Sequence, residues 1–169
     1  MAVALALVLS AFSLAQAQSK VGVVNSQDVL EKSVEGKRVI AQLQDQDKKN
    51  QDQLAKLDEE IRKLETRLNT QRITLTEEAA LQLNSDLTKK RTERTRLSED
   101  MARDMQELQY RLYSRLQNEL IPIIEQIGKE RGLDLIFDLA RSGAVYFNPT
   151  IDITEEVIKR YDAIKTKAK

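Results

Sequence analysis

Residues 37–121 form a run of 85 without a single glycine or proline, and this limits the fold more than any other feature. Leu, Gln, Glu, Lys and Arg dominate the run, and these residues suit helix interiors. Within it, Ile40, Leu43, Leu54, Leu57, Ile61, Leu64 and Leu68 recur mostly at intervals of three and four. Ala80, Leu83, Leu87, Leu97, Met101, Met105, Leu108, Leu112, Leu116 and Leu120 continue the pattern. Spacing of this kind sustained over several heptads predicts a coiled coil.

The pattern fails over residues 69–74, so two helices are expected rather than one. Thr74 with Glu77 has the form of a capping box opening the second helix. Two helices joined by a short connection fold back antiparallel. At about 1.5 Å per residue the first arm, 37–69, spans roughly 50 Å and the second, 75–131, roughly 85 Å. The longer arm must overrun the root of the shorter, and Pro122 lies in that overhang, where it should kink the helix.

The two ends of the chain differ from the middle. Residues 20–25, 133–138 and 144–148 are short, apolar and β-branched or aromatic, with the last two joined through Arg141, Ser142 and Gly143. Asn25 or Ser26 can cap a short helix, and Asp152 with Glu155 a final one carrying Val157, Ile158, Tyr161 and Ile164. The expected class is α+β, mainly α, with a long antiparallel helical hairpin projecting from a small β body. Three short strands are marginal alone, so the body should self-associate. The expected division is 18–36 with 132–169 for the body and 37–131 for the hairpin.

Residues 1–17 carry no charge and end in Ala15-Gln16-Ala17, which predicts a secretory signal cut before Gln18. The apolar run is short of the ~20 residues that a membrane-spanning helix needs. The chain contains no cysteine and no histidine. Disulfides, thiolate chemistry and the usual neutral-pH base are therefore excluded. With 27 basic and 27 acidic residues the net charge is zero, which argues against nonspecific nucleic-acid binding.

No catalytic, cofactor or metal constellation emerges, and no enzyme activity is expected. Asp134 and Asp138 read as solvated or turn-capping carboxylates rather than an acid–base pair. The basic run 89–96 reads as a solvated helix face, since no aromatic residue is interleaved for base stacking. Tyr110 and Tyr113 could contact apolar client segments or pack against a neighbouring subunit. Ile73 and Leu75 at the tip could touch client or staple the turn. Asp47, Asn50, Lys90 and Arg94 interrupt the apolar seams. A turn near Arg72 would place these four at one level, as a soft joint or a register lock.

The order of elements resembles the Skp/OmpH family of periplasmic chaperones. The resemblance rests on Lys20-Val-Gly-Val-Val-Asn-Ser, Leu133-Asp-Leu-Ile-Phe-Asp, Ala144-Val-Tyr-Phe-Asn and Asp152-Ile-Thr-Glu-Glu-Val-Ile-Lys. It implies a homotrimer whose tentacles enclose a cavity and hold unfolded outer-membrane proteins without ATP. Val21, Val23, Leu135, Phe137, Val145 and Phe147 would then build the trimer's apolar body. The best-known members are strongly basic, whereas this chain is neutral, so no lipopolysaccharide-binding or membrane-contacting residues are assigned. The rival reading is a coiled-coil spacer or adaptor of the cell envelope. The hairpin alone fits both; the β segments at the two ends favour the chaperone.

Overall fold

The computed structural model describes residues 19–71 and 73–167. The expected signal segment and its cleavage site lie outside them. Strand β1 (Val21–Val24) leads into helix α1 (Ser26–Lys32), capped by Asn25, whose side chain accepts the backbone N–H groups of Gln27 and Asp28. Helix α2 (Val34–Thr70) and helix α3 (Glu77–Arg131) are the two arms of the hairpin. Strand β2 (Leu135–Asp138), the short helix α4 (Leu139–Ser142), a 3-10 turn (Pro149–Ile151) and helix α5 (Thr154–Lys167) complete the chain.

Every expected seam residue of both arms is buried or half-buried, so the heptad reading of the hairpin holds. Two boundaries differ. Helix α2 starts before Gly36, because Ser33 caps it and accepts the Gly36 N–H at 3.0 Å. Gly36 is not a boundary but a contact: a Cβ there would lie 2.0 Å from the Leu30 carbonyl oxygen. Only glycine lets α1 pass this closely over the first turn of α2. At the tip, Thr76 rather than Thr74 caps α3, accepting the Ala79 N–H. Thr74 instead donates its hydroxyl to the Gln71 carbonyl. Helix α3 runs through Pro122, which is exposed.

The body is more helical than the sequence suggests. Its core joins Val29, Val39, Leu116, Ile127, Val157 and Tyr161, side chains from α1, α2, α3 and α5. Each such burial stabilises by about 1.5–3 kcal/mol. Among the described residues the sheet has two strands, β1 and β2, which run parallel with Val21 opposite Leu135 and Val23 opposite Phe137. The expected third strand, 144–148, does not pair. Asp138 accepts the Ala140 N–H and starts α4, and this diverts the chain before a β-hairpin can close. On the other edge of β1, Val23 bridges to Asp152.

Candidate functional site

Cross-strand partners in a parallel sheet share a face, so Val21, Val23, Leu135 and Phe137 stand together. The opposite face, carrying Val24 and Ile136, meets the core. Val23 is buried, but Leu135 is 48% and Phe137 47% exposed in the single chain. Val145 is fully exposed, Tyr146 nearly so, and Phe147 half-buried. The β2 side of this face, Leu135 and Phe137, is thus apolar and uncovered, while Val23 on the β1 side is covered. Tyr146 is a further exposed apolar side chain, although the alternation of residues 144–148 had singled out only Val145 and Phe147.

The carboxylates considered at this end serve the backbone. Asp134 accepts the Lys20 N–H at 2.7 Å, and Asp138 accepts both the N–H and the hydroxyl of Ser26. Asp134 ties the residue before β1 to the β2 side and Asp138 holds the start of α1 against β2, so both are occupied as structural acceptors.

At the root of the hairpin α5 is tied to the arms by a network the sequence reading did not find. Tyr161, almost fully buried, donates its hydroxyl to Glu119 Oε2 at 2.5 Å. Lys165 reaches the same oxygen at 2.7 Å, and Arg115 reaches Oε1 at 3.2 Å. Partial burial of Glu119 works against its charge, but the hydrogen bonds from Lys165, Tyr161 and Arg115 outweigh it. Its carboxyl is held below the ordinary range. Burial, with that carboxylate beside it, holds the Tyr161 hydroxyl far above the usual phenol range. Asp162 accepts the Val34 N–H at 2.8 Å, so α5 also caps the first arm. The visible signal was the apolar face of α5; Glu119 was masked among the many charges of α3.

Along the arms the cross-hairpin ion pairs lie in the outer half. Lys90 meets Glu60 at 2.9 Å, Arg91 meets Glu65 at 2.5 Å and Arg94 meets Asp58 at 2.9 Å. The hydrogen bond from Arg94 holds the Asp58 carboxyl below its ordinary range. This disposes of the common level expected for the four seam-breaking residues. Because the connection is centred beyond Arg72, Arg94 faces Asp58 and not Asn50. Asn50 stands roughly level with Met101 and accepts from Gln46 of its own helix at 3.0 Å. Asp47 is exposed and accepts from Gln51. The half-buried polar residues of the first seam are therefore Gln46 and Asn50. Three basic residues of the run 89–96 are engaged in these pairs, as a solvated helix face would be.

Of the expected client-contact residues, Ile73 is 98% exposed at the tip and Leu75 half-buried beside it. Leu81 adds a further exposed leucine nearby, one that the seam pattern did not flag. Tyr110 and Tyr113 part company: Tyr110 is 75% exposed, while Tyr113 packs against the core. Tyr113 also lines a groove of about 450 Å³ between α1, α3 and the β2–α4 corner, with Leu30, Leu120, Ile121, Ile124 and Ile136. Among the described residues there is no cluster of His, Cys, Asp or Glu suited to a metal, and no helix long and apolar enough to cross a membrane.

Residues 20–161 match the family described as Outer membrane protein (OmpH-like). A crystal structure from Caulobacter crescentus CB15, described as that of a candidate outer membrane chaperone (OmpH-like), aligns with a TM-score of 0.77. The two chains are 22% identical, and the alignment covers 88% of this one and 86% of that one. At this identity the likeness is one of fold. No curated protein matches the chain.

Proposed function

Since the chain belongs to the OmpH-like family, we propose that it is an ATP-independent holdase of the periplasm that keeps unfolded outer-membrane proteins from aggregating. The observation that carries this reading is the pairing of a long two-helix arm with a small body that leaves Leu135 and Phe137 about half exposed. Such a body favours self-association, as a homotrimer in this reading, and each copy then contributes one arm to a shared cavity. Ile73, Leu75 and Tyr110 offer apolar contact at separate points along the arm. Weak contacts at many points sum to firm holding while each releases readily. No nucleotide is needed, because nothing in the cycle must be driven uphill. Export to the periplasm follows from the signal-like residues 1–17.

The test is dilution of a urea-unfolded β-barrel protein into buffer with and without this protein. Suppressed light scattering at near-stoichiometric ratio is the expected outcome. Undiminished scattering would point to the envelope-spacer reading instead.

A further inference from the structure

Helix α5 grips both arms where they leave the body. It runs antiparallel along the end of α3: Glu156 pairs with Arg131, Arg160 with Glu130 at 2.5 Å, and Lys165 with Glu119 at 2.7 Å. Asp162, the neighbour of Tyr161, accepts the Val34 N–H and so holds the first turn of α2. One helix thus ties the roots of the two arms to each other and to the core, in which Val157 and Tyr161 are buried.

Glu119 is the tie nearest the arms. It stands where α2, α3 and α5 meet, and the charged groups around it come from all three: Arg115 on α3, Lys165 on α5, and Glu35 and Arg38 on α2. Glu35 is engaged by Arg38 of its own helix at 3.1 Å. Among the described residues Glu119 is therefore the carboxylate that answers both Arg115 and Lys165, and the Lys165 side chain is only 17% exposed. A pair covered to this extent is screened less by salt than one in open solvent. Farther out, the next polar tie between helices among the described residues is Arg94 to Asp58. From Glu119 to Arg94 lies about 38 Å of helix at roughly 1.5 Å per residue, over which apolar seam packing joins the arms.

We propose that the Glu119–Lys165 pair is a latch that sets the direction in which the hairpin leaves the body, with Glu119 as its positioning residue. While the pair is made, α5 is drawn against α3 and the arm keeps one posture. Without the Glu119 charge, Arg115 and Lys165 face each other with no anion between them. The C-terminal half of α5 then lifts, its hold on both roots loosens, and the arm swings. That half is the one free to move, because Val157, Ile158 and Tyr161 are core whereas Ile164 is 53% exposed. The latch acts whether or not the arm serves clients, so it does not depend on the holdase reading.

The chain lacks cysteine, so spin labels can be placed in pairs without background. Glu31→Cys on α1 with Lys56→Cys on α2, both exposed positions, reports the posture of the arm. Lys56→Cys with Arg96→Cys lies wholly within the outer arm and serves as the control. Labelled chains are refolded among an excess of unlabelled ones, so that each distance is read within one chain. Lys56 stands about 33 Å of helix from the root, so a swing of about 10° displaces it by roughly 6 Å. Glu119→Gln should broaden the posture distribution by roughly that amount and leave the control distribution unchanged. Lys165→Gln, which breaks the pair from the other side, should broaden it too. Tyr161→Phe loses a hydrogen bond to the same carboxylate but keeps the ion pair, and should stay as narrow as the wild type. A Glu119→Gln chain with wild-type circular dichroism and a wild-type posture distribution would overturn the latch. Equal broadening in Tyr161→Phe would overturn it as well, since Glu119 would then act through stability alone. If Glu119→Gln does not fold, Lys165→Gln decides by the same outcomes.

Discussion

Glu119 collects three donors, and its position shows how one carboxylate can fasten a helix. Removing the Tyr161 hydroxyl deletes a hydrogen bond to a charged acceptor, an effect of about 1–2 kcal/mol. Tyr161→Phe should therefore lower the urea midpoint without changing the slope. The pH profile carries a second signature. A phenol held above its ordinary value stabilises the fold fully below about pH 10, and that contribution fades as pH rises further. Glu119 is held below its ordinary value, so its contribution is present above about pH 4 and is lost as pH falls below it. Urea titrations across pH should show the alkaline decline in the wild type and a flatter one in Tyr161→Phe. An unchanged alkaline limb would refute the buried pairing.

The two arms were legible because their evidence is periodic: Leu57, Leu83, Leu87 and Leu116 were expected inside and are inside. Levels across the hairpin were not legible, because they depend on the length of the connection. A turn centred only a few residues past Arg72 moves every facing pair by about two helical turns, from Asn50 to Asp58 opposite Arg94. That shift places Arg94 against Asp58 and leaves Gln46 and Asn50 as the weak stretch of the seam. Between this level and the root no side-chain hydrogen bond or ion pair joins the arms among the described residues. Asn50→Leu should thus stabilise the hairpin by about 1 kcal/mol by extending apolar seam packing. Hydrogen exchange near Asn50 and Met101 should slow as well. If exchange there already matches that around Leu57 in the wild type, the stretch is not weak. The third strand failed for a different reason: alternation says that residues 144–148 can be a strand, but the strand also needs a partner edge, and α4 carries the chain away from β2.

At the scale of the molecule, Phe137 separates folding from association. Half of it stays exposed in the single chain, so Phe137→Asp should keep its helical circular dichroism. A charge driven into a covered apolar contact costs several kcal/mol unless paired. The variant should accordingly sediment as a smaller species than the wild type; a wild-type-like mass would remove Phe137 from the interface. The pairing of β1 with β2 has its own consequence for the order of events in folding. Val21 meets Leu135 across 114 residues of chain, a closure that would be slow for a flexible loop. Here α2 and α3 can zip from the tip inward using contacts near in sequence, and their last turns deliver the two strands to each other. Closure then spans only the few residues between helix and strand. A chain still being synthesised can build its arms early, but β1 waits unpaired until β2 follows α3. Any association through this sheet, as proposed above, is therefore deferred until Leu135–Asp138 is in place.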